Sequence, residues 1–220
     1  SVPASQLGRG DSECDRGPAG PLVAPGSYTV SVATWSNGVS TPVGTPQTFE
    51  VKPLLSPTLP VRDPAALLAF QRKVARLQRA ALGLNDLVSE ASGRLAQLRK
   101  ALKETPAADP NLDTRARALD LKLREVSIAL NGDPVKARRN EATLPGILDR
   151  VLRVTGASWY ATSDATGTQQ KNYDLAAQAF APVLAQARTL VDVELKQLEA
   201  DAEAVGAPWT PGRVPNWQPE

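Results

Sequence analysis

Residues 67–102 read LLAFQRKVARLQRAALGLNDLVSEASGRLAQLRKAL. Taken at steps of three and four, Leu67, Phe70, Val74, Leu77, Ala81, Leu84, Val88, Ala91, Leu95, Leu98 and Leu102 are all apolar, and the positions between them carry most of the Arg, Lys, Gln and Glu. A period of about 3.5 sustained over this length predicts a helix with a narrow apolar seam, laid lengthwise against other helices. Asp63 and Pro64 form the start signal, since the carboxylate can accept from free N–H groups and proline suits the first turn. Thr105-Pro106 is the stop, because a residue before proline is pushed out of the helical region. The expected helix has about 40 residues and a length of roughly 60 Å.

The same start recurs downstream. Asp109-Pro110 opens a second helix with the seam Leu112, Ala116, Leu119, Leu123, Val126, Leu130, closed by Asn131-Gly132, residues that tolerate a left-handed backbone. Asp133-Pro134 is a third start, enough for a single turn. A third helix is expected over residues 143–158, with Leu144, Ile147, Val151 and Val154 inward. The last opens near Thr166, which has capping-box spacing to Gln169. Its stripe of Tyr173, Ala176, Phe180, Val183, Ala187 and Leu190 shifts to Val191, Leu195, Leu198, Ala202 and Val205, and a kink at Pro182 is expected to carry that shift. Gly206 and Pro208 end it, and the tail beyond is too proline-rich for a helix. By length, the two middle helices stacked end to end match either outer one. A three-strut bundle with a broken middle strut follows, with an ordinary four-helix up-down bundle as the alternative.

Upstream the period changes to two. In residues 27–35, Tyr28, Val30 and Val32 share a face opposite Thr29 and Ser31, the pattern of a half-buried antiparallel strand. Pro25-Gly26 turns the chain before it and Ser36-Asn37-Gly38 after it. A second strand is expected over residues 45–52, with Gln47, Phe49 and Val51 together, and Pro42 and Pro46 making its start an edge or a bulge. Two strands alone are marginal in water. Either residues 1–20 and 39–43 add short strands, or this is the last part of a β-sandwich whose other strands lie elsewhere. The fold class is therefore α+β, mainly α: a long antiparallel helical bundle preceded by a small antiparallel β-sandwich-like (Ig/FnIII-like) portion. The expected division is residues 1–52 for arm and strands, 53–62 for a linker spaced by Pro53, Pro57 and Pro60, 63–206 for the bundle and 207–220 for a Pro/Trp-rich tail.

The 220 residues carry a net charge of +2, not the basic field of a nucleic-acid binder. There is no histidine, which rules out a Ser–His–Asp triad, a Cys–His pair and any His-ligated metal within this chain. The single Cys14 has no partner for an internal disulfide; it is idle or pairs with another chain. No stretch reaches the ~20 apolar residues of a membrane span. The chain opens at Ser1 rather than Met, so a processed chain or a piece of a longer one is expected.

Candidate chemistry is sparse. Glycosidases need only two carboxylates. Glu90, Glu104, Asp120, Glu125, Asp149, Asp192, Glu194, Glu199, Asp201 and Glu203, however, sit at solvent positions of helices among Lys and Arg, as a solvated face does. The connector Lys136-Ala137-Arg138-Arg139-Asn140-Glu141 is the densest polar cluster. Arg138 and Arg139 suit an anion or carboxylate clamp, or else tie the bundle end together by bonding helix carbonyls. Trp159, Tyr160, Trp209 and Trp217 are either contact anchors for a partner or pins that hold a tail to its own domain. Gly83 and Gly93, inside the long helix, leave room for another backbone to approach. Arg9-Gly10-Asp11-Ser12 spells an integrin-binding tetrapeptide, a short motif that chance supplies in a polar loop.

Several stretches together carry a likeness. Residues 20–30 (GPLVAPGSYTV), then 49–52 (FEVK) and a long helix, resemble the C-terminal end of bacterial VPS10/sortilin-type BNR β-propeller proteins. Asn131-Gly132-Asp133, residues 137–141 (ARRNE), 180–184 (FAPVL) and 208–213 (PWTPGR) look like the tail of that family as well. The resemblance implies a secreted or periplasmic protein, some of whose relatives carry a glycosyl-hydrolase label. The propeller that would hold a sialidase-like site is absent from these 220 residues.

The expected function is a non-catalytic extracytoplasmic scaffold or accessory subunit, docking on other protein subunits, reaching a membrane only through a partner and using no cofactor. Arg138, Arg139, Trp159, Tyr160, Trp209, Arg213 and Trp217 are the candidate partner-binding residues. The alternative is a fragment of a secreted glycosyl-hydrolase or sialidase-like protein acting on glycans.

Overall fold

The computed structural model describes residues 20–53, 59 and 61–215; Arg9 to Ser12, Cys14, Trp217 and most of the proline-spaced linker lie outside them. The molecule is mainly helical, with a two-stranded antiparallel sheet ahead of the helices. Helix α1 spans Pro64–Lys103, α2 Pro110–Asn131, the single turn α3 Pro134–Arg138, and α4 Ile147–Ser158. The last rod is α5 Gly167–Thr189, a π-helical segment Leu190–Leu195, and α6 Lys196–Ala204, one continuous run.

Local chemistry sets these boundaries. Asp63 accepts from the N–H groups of Ala65 and Ala66, Asp109 from Asn111, and Asp133 from Val135 and Lys136, each ahead of a proline in the first turn. Thr166 and Gln169 form a reciprocal capping box. Gly132 ends α2 at φ +83°.

The seam residues of α1 from Val74 to Leu102 are buried, as are Leu112 to Leu130 of α2, Ile147, Leu148, Val151 and Val154 of α4, and Ala176, Phe180, Ala187, Leu190, Val191, Leu195, Leu198 and Ala202 of the last rod. They form one core. Its order follows from the cross-links. Asn131 Nδ2 donates to Asn85 Oδ1 at 2.8 Å, so α2 ends beside the middle of α1. Gln71 Nε2 donates to the carbonyl of Ser158 at 2.6 Å, so α4 runs on toward the start of α1. Phe70 meets Tyr173 edge-on at one end, and Arg94 meets Glu199 nearer the other. Helix α1 and the α5–α6 rod are therefore parallel, and α2 followed by α4 fills the antiparallel position between them. This is the three-strut bundle with a broken middle strut. At the break, Gly146 lies against the backbone of residues 130–132 so closely that a Cβ there would come within 2.6 Å of the Leu130 carbonyl oxygen.

Three expectations are corrected. Helix α4 begins at Ile147 rather than at residue 143, and Leu144 is 82% exposed instead of inward, because the loop before α4 passes outside the bundle. Helix α5 continues through Pro182, and the seam shift expected to be carried by a kink there falls at the π-helical segment instead. There Leu190 and Val191 are both buried, and one extra residue in the turn lets the apolar stripe resume in phase. Gly83 and Gly93 meet no approaching backbone: a Cβ on either finds nothing within 4 Å.

Strand β1, Gly26–Ser36, pairs antiparallel with β2, Val39–Val51, around the two-residue turn Asn37-Gly38, whose φ values of +50° and +79° suit a right-twisted hairpin. Residues 39–43 belong to β2 itself rather than to a further strand; a bulge at Gly44, Thr45 and Pro46 takes up the irregularity opposite Ser31. Neither strand packs to any extent against a helix.

Candidate functional site

Segment 132–146 leaves the bundle at the break in the middle strut. Asp133 starts α3, and after Arg138 the chain reverses through Asn140 at φ +55°, with the Glu141 N–H donating to the Lys136 carbonyl. Arg138 and Arg139 are exposed on this loop. Arg139 lies 3.9 Å from Glu141, a loose pair between two solvated side chains. Among the described residues, Arg138, Arg139 and Asn140 bond no helix carbonyl through their side chains, so the expectation that they tie the bundle end together is not met. The loop also bears Val135, 54% exposed, and Leu144, 82% exposed. A cleft of about 390 Å³ opens beneath it, lined among others by Ile128, Gly132, Lys136, Leu144 and Pro145.

Trp159 and Tyr160 follow the end of α4, at the opposite end of that helix from this loop. Trp159 is half-buried, its Nε1 is buried without a hydrogen-bond partner among the described residues, and its carbonyl accepts from Leu22 N–H at 3.3 Å. Tyr160 is 64% exposed.

Trp209 and Arg213 lie together in the tail, beside α6. The Arg213 guanidinium sits 5.0 Å from the Trp209 ring centroid and donates to Glu203 at 2.8 Å, and its side chain is only 8% exposed. A Cβ on Gly212 would meet the aliphatic stem of Arg94 at 3.7 Å. Arg213, set against the Trp209 ring, thus ties the tail to α6. The candidates occupy three places along the bundle, with Trp217 outside the described residues.

The carboxylates are mostly engaged. Glu199, expected on a solvated face, is buried and takes a forked bond from Arg94 at 2.7 and 2.8 Å. Its position next to the seam residue Leu198 was the available signal. Asp113 is held below the ordinary carboxylate range chiefly by its hydrogen bond from Arg117, and Asp201 by hydrogen bonds from Gln197 and Arg115. Lys122 meets Glu194 at 2.8 Å. These carboxylates are engaged in links within and between struts. Among the described residues no group of three or more His, Cys, Asp or Glu is placed to hold a metal ion, and no helix is long and apolar enough to cross a membrane. No known protein family, curated protein or solved structure matches the chain.

Proposed function

We propose that this chain is a non-catalytic extracytoplasmic scaffold, an accessory subunit that docks on a protein partner through the loop at the strut break. The observation that carries the reading is the chemistry of segment 132–146, where exposed Lys136, Arg138 and Arg139 stand beside exposed Val135 and Leu144. Bidentate guanidinium groups next to apolar side chains suit an acidic, partly apolar protein surface. Tyr160 adds an exposed aromatic at a second place. On the same reading, which the likeness to the C-terminal end of VPS10/sortilin-type proteins supports, the hairpin belongs to a β-sandwich-like, Ig/FnIII-like unit, and the protein is periplasmic or secreted.

The test is affinity purification of the chain from its native source, with and without Arg138→Glu and Arg139→Glu. Loss of a stoichiometric partner protein in the double variant, with the helical circular dichroism unchanged, is the expected result. Association that ignores the charge reversal refutes the loop as the docking site.

A further inference from the structure

Among the described residues, two surfaces of the hairpin meet no partner. Tyr28 stacks on Phe49 across the strands, and Val30, Val32 and Val43 lie on that same face. Val30 is 49% exposed, Val32 61%, Val43 51% and Phe49 51%. Among the described residues nothing covers them. A two-stranded ribbon is marginal in water, and apolar residues grouped on one face mark a contact surface.

The two strand edges also differ. Strand β2 is guarded: Pro42 and Pro46 lack N–H groups, Gly44 adopts φ +71°, and the bulge breaks the run of backbone donors. Strand β1 has none of these devices. Its eleven residues, GSYTVSVATWS, contain no proline and no charge, and among the described residues no strand pairs with its outer edge, so the outer N–H and C=O groups form a template for a further strand. Residues 20–49 hold no charged side chain at all, so no ionic recognition operates here.

We propose that the hairpin docks by sheet completion: a β-sheet of a partner protein adds a strand to the open edge of β1 and lays an uncharged apolar face over Val30, Val32, Val43 and Phe49. A second copy of this chain fits these surfaces less well. Pairing β1 edge to edge would double the bare face. Stacking two faces would cover roughly 350 Å² of projected sheet on each copy, about 700 Å² in all, against ~1,200 Å² or more in a stable interface. A larger foreign sheet satisfies edge and face together. The inference rests on reading the chain as an interaction module but uses a surface separate from Arg138 and Arg139.

The experiment uses the full chain and a synthetic strand peptide of alternating valine and threonine, flanked by lysines for solubility. Binding is followed by titration and by amide hydrogen exchange. Counted from the two-residue turn, Ala33 and Pro42 form a non-hydrogen-bonded pair, so the Ala33 N–H points off the open edge. Saturable binding is expected, with slowed exchange at the outward amides of β1 and none at β2. Ala33→Pro should weaken it at least tenfold. Because proline can distort the strand, a second variant, Val30→Thr with Val32→Thr, keeps β-branched residues and removes the apolar face; it should also weaken binding at least tenfold. Absence of saturable binding, protection on the β2 edge, or indifference to both variants overturns the proposal. So does concentration-dependent self-association that protects β1. If peptide binding fails while Arg138→Glu with Arg139→Glu still abolishes partner association, only the hairpin inference falls.

Discussion

A methyl group on Gly146 would lie 2.6 to 2.8 Å from backbone atoms of Leu130, Asn131 and Gly132, where α4 abuts the end of α2. Main chain at a helix junction yields little, so Gly146→Ala is expected to cost about 2–3 kcal/mol. Gly93→Ala should go the other way. Its Cβ meets nothing within 4 Å, and alanine in an exposed helix position stabilises by up to ~1 kcal/mol over glycine. Urea titration at constant m-value reads both signs in one series. Asp113 and Asp201 give the molecule an acid response. Each has its pKa lowered from 3.8 by hydrogen-bonded partners, so each contributes stability that is complete above the ordinary carboxylate range and lost as pH falls through the lowered value. Asp113→Asn with Asp201→Asn should flatten the decline of melting temperature as the pH falls below the ordinary carboxylate range, while lowering stability at neutral pH.

At the scale of elements, the π-helical segment Leu190–Leu195 behaves as one inserted residue in an otherwise α-helical rod. Val193 in it is 60% exposed. Deleting Val193 should convert the segment to ordinary helix, leave the seams on both sides in register, and change stability by no more than about 1 kcal/mol. Deleting exposed Asp86 from α1 is the contrast. It turns every later seam residue by about 100°, so cooperative melting should be lost. Scanning calorimetry separates the two. The same comparison shows what the chain states openly. Three Asp-Pro starts and one capping box are signals contained within four residues, and each capped the helix it announced. The position of the seam shift was not local. Pro182 offered a plausible cause, but the π turn answers to the packing of Leu190 and Val191 against the other struts. Leu144 misled for the same reason: its spacing fits the α4 stripe, and only the close approach at Gly146 puts the chain before it outside the core.

Over the whole molecule, strut lengths and start signals favour three struts but leave an ordinary four-helix bundle open, and the cross-links from α2 and α4 to α1 decide for three. The candidate site was less legible, because aromatic and arginine side chains read alike in sequence whether they face a partner or their own fold. Arg213 lies sealed under Trp209, whereas Arg138 and Arg139 stand in solvent, and only tertiary packing decides which. The direction of the struts has a further consequence. Each peptide unit of a helix contributes a dipole along the axis, positive toward the N-terminus. Helix α1 and the α5–α6 rod point the same way, and α2 with α4 opposes only one of them. The backbone is thus electrically lopsided by the equivalent of one long helix, with its positive pole at the end where α1 and α5 begin. Taken alone, this backbone dipole would draw that end toward the cathode in an applied field.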